Sequence, residues 1–286
     1  MSQQVNDEYP IKPLSDKQLK EVAKAKYQTQ ASDNTEVYDF PTEIVELPSK
    51  GKLYPEGHPL QSGTIEMKYM SAREEDILTN DSFIKQGVVL DKLFKALIVT
   101  PINYNDLLLC DKNAVMIAAR VLGYGKDYEI TATNPKTGEE HKVTVDLTKL
   151  SEKEIDWSIH TLGKNEFKLE LPASKRTVTL QLLTQGRQRK IDAELKNLAK
   201  LKRNATLTTT LKHVIIAIDD ENDPVKVRKF IDTELLAIDS RAIRTYLKSI
   251  TPEIDLSVEV PDGESGDTFR SAIAIGLDFF WPDAEI

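Results

Sequence analysis

The stretch Thr64-Ile-Glu-Met-Lys-Tyr-Met-Ser71 alternates apolar and polar residues, and the similar stretch Thr177-Val-Thr-Leu-Gln-Leu-Leu-Thr184 begins 113 residues later. Strict alternation predicts a β-strand with one buried face. The closing residue of each stretch, Ser71 or Thr184, can cap the first turn of a following helix. The sequence therefore predicts a strand that leads into a helix at two separate places.

Other features recur in the same order on both sides of the chain. Glu46-Leu47-Pro48 returns as Glu170-Leu171-Pro172, and an aspartate that we expect to precede a helix returns 128 residues later, as Asp111 and Asp239. Each copy then shows two alternating runs around a turn that contains a glycine, which predicts a β-hairpin. The runs are Tyr128–Thr133 with His141–Asp146 around Gly138, and Leu256–Val260 with Phe269–Ile275 around Gly266.

We therefore predict an α+β fold made of two tandem, duplicated units, each with a strand, then helices, then a β-hairpin. The first unit covers residues 41–150. The second unit covers residues 165–286 and ends in a hairpin and an aromatic C-terminus. Residues 1–40 are polar and predict a mobile N-terminal arm. The alternative to duplication is that similar elements match by chance.

Composition limits the classes of function. The chain has 286 residues, of which 40% are hydrophobic and 29% are charged, as in soluble globular proteins. Its single cysteine excludes an intramolecular disulfide and a cysteine-based zinc site within one chain. Apolar runs stay far below the ~20 residues that span a bilayer, so we expect no membrane partner. The net charge of −8 argues against a nucleic-acid partner.

A basic stretch interrupts this acidic chain. Residues 185–203 hold seven bases and two acids. The pattern predicts a helix over 187–203 with Ile191, Leu195, Leu198 and Leu201 turned inward and the bases outward. Such a face is either solvated or binds an anionic partner, which would be a nucleic acid or an acidic protein surface. The candidate partner-binding residues are Arg187, Arg189 and Lys190.

The aromatic cluster near the C-terminus is a second candidate. Phe279, Phe280 and Trp281 either pack on their own hairpin or anchor a partner, because aromatic side chains are prominent in both cores and interface hot spots.

Catalytic and metal-binding patterns are weak. Cys110 follows three leucines, which favours a core residue over the nucleophile of a cysteine hydrolase. No two of the four histidines have metal-ligand spacing, so we expect packed or half-exposed imidazoles, and the apolar stretch 211–218 around His213 predicts a helix. The acids Glu74-Glu75-Asp76 after Ser71 fit a capping box. We predict no catalytic residue, no metal and no cofactor.

Several short strings, taken in order, resemble the T4-type phage baseplate protein family, which includes baseplate hub subunits and hub-assembly proteins of contractile-tailed phages. The resemblance runs from about residue 41 to residue 282. The strings are Leu47-Pro-Ser-Lys-Gly51 with Tyr54-Pro55, Ser71-Ala-Arg-Glu-Glu-Asp-Ile-Leu-Thr79, Arg120 with Gly123-Tyr-Gly125 and Tyr128, Val145-Asp-Leu147, Asp239-Ser-Arg241, Pro252 with Asp255, and Phe279-Phe280-Trp281-Pro282.

The resemblance implies a non-enzymatic protein of the tail baseplate, located in the virion or, during assembly, in the host cytoplasm. Its implied partners are other baseplate hub and tail proteins, and a homo-oligomer is a further expectation. Many members of the family place CxxC-like pairs in the two hairpin turns, which suggests zinc. The corresponding turns here, at 133–138 and 260–266, have no cysteine and cannot bind zinc in that way. Whether such a protein stays in the particle or leaves after assembly is open at this point.

Overall fold

The computed structural model describes residues 41–262 and 267–280. Helices and small antiparallel sheets alternate through these residues, which confirms the predicted α+β class. The strands are β1 (Thr42–Glu46), β2 (Thr64–Lys68), β3 (Asp127–Thr133), β4 (Glu140–Asp146), β5 (Phe167–Glu170), β6 (Thr177–Leu180), β7 (Ile215–Ile218), β8 (Ser257–Pro261) and β9 (Thr268–Ala272). The helices are α1 (Ala72–Leu78), α2 (Asp81–Gln86), α3 (Val89–Leu97), α4 (Leu109–Tyr124), α5 (Gln185–Lys200), α6 (Thr206–Val214), α7 (Pro224–Thr233) and α8 (Ala237–Ile250).

Each half of the described chain opens with an antiparallel pair of strands. β1 pairs with β2, and β5 pairs with β6, so the predicted strands β2 and β6 are confirmed but do not stand alone. The Leu-Pro pairs directly follow β1 and β5, and Leu47 and Leu171 are fully buried there. The two halves thus begin with the same local structure. Their origin by duplication remains a prediction.

The turn after the first Leu-Pro pair contains a glycine, Gly51, that no other residue can replace without strain. Gly51 has a φ of +71°, and a Cβ added to it would lie 2.3 Å from the carbonyl oxygen of Gln61. An L-residue is disfavoured at such a φ, and here the backbone of the next turn also fills the space.

The predicted helix starts are confirmed. Ser71 precedes α1, and both its N–H and its hydroxyl donate to the carboxylate of Glu74, which also forms an ion pair with Lys68 at 2.7 Å. The acids after Ser71 therefore begin a helix, as the capping-box interpretation predicts. Thr184 precedes α5, and its hydroxyl accepts a hydrogen bond from the N–H of Arg187 at 3.4 Å.

Two predictions about the second half are wrong in detail. The apolar stretch that contains His213 leaves the helix at Val214, and the β-branched Ile215 and Ile216 begin β7, which pairs with β6. The basic helix spans 185–200 rather than 187–203. Leu201 was predicted to face inward, but it follows the last helical residue and is 68% exposed.

Both halves close with the predicted hairpins, β3–β4 and β8–β9. The second is shorter than expected, because β9 ends at Ala272 rather than at Ile275. The described part of the chain has one continuous hydrophobic core to which both halves contribute. The predictions for the arm of residues 1–40, for Gly266 and for Trp281 lie outside the described residues.

Candidate functional site

A buried carboxylate joins the start of α4 to the first Leu-Pro turn. Asp111 accepts a hydrogen bond from the N–H of Ser49 at 2.9 Å and another from the hydroxyl of Tyr54 at 2.7 Å. The Tyr54 oxygen in turn accepts the N–H of Leu108 at 3.0 Å. Asp111 is 0% exposed, and burial raises its pKa and that of Tyr54. This network fixes the start of α4.

The second half repeats the arrangement with a different set of donors. Asp239 is also fully buried, and it accepts the N–H of Ala173 at 2.8 Å and the N–H of Ser174 at 3.1 Å from the second Leu-Pro turn. The prediction that these aspartates precede their helices is wrong: each is the third helical residue. The recurring pairs Leu47/Asp111 and Leu171/Asp239 are the sequence signal that could have revealed this contact.

The two halves meet where the start of α4 contacts the start of α5. The N–H of Leu109 donates to the carbonyl of Leu183 at 2.9 Å, and the N–H of Gln185 donates to the carbonyl of Leu107 at 2.8 Å. Leu108 is 2% exposed between them. We call this pair of backbone hydrogen bonds the internal junction. It resembles a short stretch of antiparallel β-ladder.

A polar network reinforces the internal junction. Asp91 of α3 accepts two hydrogen bonds from the guanidinium of Arg189, at 2.8 and 3.0 Å, and others from Tyr104 and Gln185. Arg189 also donates to Asn105 at 2.6 Å. Charge-assisted, two-point contacts of this kind hold a fixed geometry. The first half is therefore attached to the second through the basic helix.

The three basic candidates have different environments. Arg189 donates to Asp91 beside the internal junction, and Arg187 donates to the carbonyl of His213 at 3.3 Å. Burial lowers the pKa of Arg187. Lys190 is exposed. Two of the three bases thus contact the chain itself, which favours a structural role for them over binding of nucleic acid.

Replacement of Arg189 by alanine is expected to lower the free energy of unfolding by about 1–3 kcal/mol, because Asp91 would lose its charge-assisted hydrogen bonds. Lys190→Ala is the matched control, since its side chain is exposed, and should change stability by less than ~0.5 kcal/mol. Urea unfolding followed by circular dichroism measures both. Equal losses for the two variants would contradict the structural role.

The structure describes two of the three aromatic candidates, Phe279 and Phe280. Phe279 and Phe280 are fully buried. The ring of Phe280 lies 5.9 Å from that of Phe94, and the ring of Phe279 lies 4.9 Å from that of Tyr128 in an edge-on contact. These contacts lie within the chain, but Phe94 and Tyr128 belong to the first half, whereas the sequence alternative was packing on the second hairpin. Trp281 lies outside the described residues.

The predicted burial of Cys110 is confirmed, since it is 5% exposed. Burial raises the pKa of its thiol well above the ordinary value, the opposite of what an activated nucleophile needs. The histidines are packed or partly exposed, as predicted. His160 lies between the carbonyls of Asp156 and Ile250, and His213 lies 3.2 Å from Glu194.

We expect Cys110 to react with a thiol reagent at least ~10-fold more slowly in the native chain than in the urea-unfolded chain, because its thiolate is both scarce and enclosed. Absorbance after addition of Ellman's reagent at mild alkaline pH gives both rates. Labelling of the native chain at the unfolded rate would return the cysteine-hydrolase alternative to consideration.

The two hairpin turns lie side by side. The side-chain amide of Asn134 donates to Asp262 at 3.2 Å, and the ring of His141 lies 5.5 Å from that of Phe269. The cysteine-based zinc site that the family resemblance implies does not fit, because neither turn has a cysteine. Glu139, His141 and Asp262 offer three possible ligand atoms within 4.8 Å of one another, although Glu139 is exposed.

The comparison with protein families decides the family. Residues 40–260 match the model of the family described as T4 bacteriophage base plate protein. The chain belongs to this family. The match begins just before β1 and ends within β8, so it contains both Leu-Pro turns, both buried aspartates and the internal junction. No curated protein and no solved structure matches the chain.

Membership in the baseplate family identifies the broad role of the molecule. It indicates a structural protein of the phage tail baseplate, found in the virion tail and in contact with other tail proteins. Among the helices of residues 41–262 and 267–280, none is long and apolar enough to cross a membrane.

Proposed function

We propose that this baseplate protein acts in the hub of the baseplate, as a structural subunit or an assembly factor, through protein–protein contacts and without catalysing a reaction. The observation that carries the proposal is the family match over residues 40–260. The proposal needs no cofactor or metal. The location would be the tail baseplate of the virion, or the host cytoplasm while the tail is being built.

The chemistry of the described residues supports this assignment. The single thiol is buried and its pKa is raised, so it is poorly suited to nucleophilic attack. The most deeply buried carboxylates, Asp111 and Asp239, receive backbone hydrogen bonds at helix starts and thus serve the fold. The buried aspartates and the Asp91–Arg189 network connect helices and turns rigidly. Such connections suit a protein that must present fixed surfaces to its neighbours.

We propose direct partner contact for only some of the candidate residues. Of the described candidates, Lys190 has the exposed side chain that a partner could reach directly. Trp281, at the aromatic end, is the other residue we propose for partner contact. Phe279 and Phe280 would act indirectly, since they attach this end to the core.

Mass spectrometry of purified phage particles and of the infected-cell lysate tests the proposal. A few copies of the chain per particle, crosslinked to baseplate neighbours, would identify a hub subunit. Abundance in the lysate with absence from particles would identify an assembly factor. A major capsid protein, present in both samples, is the positive control. Deletion of the gene without any defect in baseplates, viewed by electron microscopy, would overturn the proposal.

A further inference from the structure

The start of α8 in the second half is equivalent to the start of α4, but it does not take part in the internal junction. In the first half, Leu108 precedes α4, pairs with Thr184 at the start of α5 and is 2% exposed, and Cys110 is 5% exposed. Leu236 and Ile238 hold the same positions before and within the first turn of α8, relative to the buried Asp239. They are 50% and 59% exposed. The side chains at these two positions are buried in the first half and exposed in the second.

The backbone of this second helix start is also open. Leu109 donates its N–H across the internal junction and Leu107 offers its carbonyl there. The equivalent groups are the N–H of Ala237 and the carbonyl of Leu235, and within residues 41–262 and 267–280 neither has a backbone hydrogen-bond partner. We call Leu235, Leu236, Ala237 and Ile238 the head surface.

The other side of the internal junction has its own counterpart in the first half. Thr184 caps α5, and the flanking Leu183 and Gln185 make the two backbone hydrogen bonds. Ser71 holds the equivalent position before α1, between Met70 and Ala72, although its hydroxyl donates to Glu74 rather than accepting a backbone N–H. In the described residues, the Met70 carbonyl and the Ala72 N–H have no backbone partner. We call Met70, Ser71 and Ala72 the tail surface.

The head and tail surfaces belong to the ends of the two halves that the internal junction does not use. In each opening hairpin the Leu-Pro turn and the helix cap lie at opposite ends, because Glu46 pairs with Thr64 and Thr42 with Lys68. Asp239 attaches the head surface to the far Leu-Pro turn. The internal junction joins the Leu-Pro end of the first half to the cap end of the second, so the cap end of the first half and the Leu-Pro end of the second remain for another contact.

Charges of both signs border these ends. The exposed acids Glu75 and Asp76 follow the tail surface and the exposed bases Lys175 and Arg241 flank the head surface, while the exposed Arg73 and Glu234 adjoin the tail and head surfaces with the opposite signs. Opposite charges around an interface steer the partners and fix their register. Within the chain, the internal junction is likewise reinforced by an acid and a base, Asp91 and Arg189.

We propose that the head surface of one copy of this chain binds the tail surface of a second copy, with the backbone pairing of the internal junction. The Ala237 N–H of one copy would donate to the Met70 carbonyl of the next, and the Ala72 N–H to the Leu235 carbonyl. Leu236 and Ile238 would be covered. The contact joins two different surfaces, so it is heterologous and forms rings or filaments rather than an isologous dimer. It does not depend on the hub assignment.

Sedimentation velocity of the full chain over a concentration series tests this. The average mass of the wild-type chain should rise above the monomer mass of 32.2 kDa as concentration increases toward ~300 µM. Ile238→Glu in the head surface and Ala72→Glu in the tail surface should each weaken self-association at least ~10-fold. Both changes place an acid in the first turn of a helix, where the helix dipole favours it, so the fold should be retained.

The two variants also test the head-to-tail geometry. A mixture of Ile238→Glu and Ala72→Glu has one intact head and one intact tail, so it should form a heterodimer that neither variant forms alone. Leu201→Glu is the matched control, because Leu201 is a similarly exposed leucine away from both surfaces. A wild-type chain that stays monomeric at ~300 µM would overturn the proposal. So would a mixture that fails to associate, or a control that weakens association equally.

Discussion

Asp111→Ala is expected to lower the free energy of unfolding by about 3 kcal/mol or more. The substitution removes the acceptor of the Ser49 N–H and of the Tyr54 hydroxyl, both within a buried network. A buried donor left without an acceptor costs about 1–3 kcal/mol, and here two donors are affected. Urea unfolding followed by circular dichroism gives the loss. The start of α4 and the first Leu-Pro turn should separate together.

Two further variants separate the contributions. Asp111→Asn keeps one acceptor oxygen and should lose only about 1–2 kcal/mol, and Tyr54→Phe should lose a similar amount. Asp81→Ala removes an exposed acid from the first turn of α2 and is the control, with an expected loss below ~1 kcal/mol. If Asp111→Ala were as stable as the control, the network would have no energetic importance.

The difference in stability between the wild type and Asp111→Asn is expected to depend on pH. Burial raises the pKa of Asp111 in the folded chain above the ordinary value of about 3.9 that it keeps in the unfolded chain. The folded chain therefore binds this proton more tightly. The stability of the wild type relative to Asp111→Asn should increase as the pH falls through the raised value toward ~3.9. A decrease over that interval would contradict the direction of the shift.

Phe280→Ala is expected to cost about 3–5 kcal/mol, because Phe280 is fully buried and its ring packs against Phe94. Phe279→Ala should cost a similar amount through the loss of its contact with Tyr128. Thermal and urea unfolding of the isolated chain measure both. If these residues were partner anchors instead, the isolated chain would keep its stability and only partner binding would fall.

An exposed leucine provides the control for the aromatic variants. Leu162 is 69% exposed, so Leu162→Ala should change the free energy of unfolding by less than ~0.5 kcal/mol. Phe280→Leu fills much of the same volume and should recover most of the loss. Recovery by leucine would show that packing, rather than a specific aromatic contact, is what the site requires.

Local patterns predicted the elements whose causes are local. The Ser71 and Thr184 caps, the hairpin β3–β4 and the burial of Cys110 follow from residues close in sequence, and the structure has each of them. The end of α6 at Val214 was missed because the pairing of β7 with β6 joins segments far apart in the chain. Leu201 fits the helical period, but the helix ends one residue earlier.

The candidate site shows the same division. The sequence indicated the basic residues and the aromatic cluster, but their contacts depend on distant partners. Arg189 binds Asp91, which lies 98 positions earlier, and Phe280 packs on Phe94. Asp111 and Asp239 recur in the sequence together with the Leu-Pro pairs, which signals a shared role, but the donors that reach each carboxylate depend on how the helices pack against the Leu-Pro turns.

The contact of the last described aromatic residues with the first half has a consequence for synthesis of the protein. Tyr128 leaves the ribosome about 150 residues before Phe279, and Phe94 about 185 residues before Phe280, the residues that pack on them. A nascent chain can form its opening hairpins and helices early, but its core stays open until Phe279 and Phe280 have emerged. Chaperones would therefore meet an uncovered apolar surface on every new chain. A chain that terminates shortly before residue 279 would keep this surface exposed and would be degraded rather than assembled.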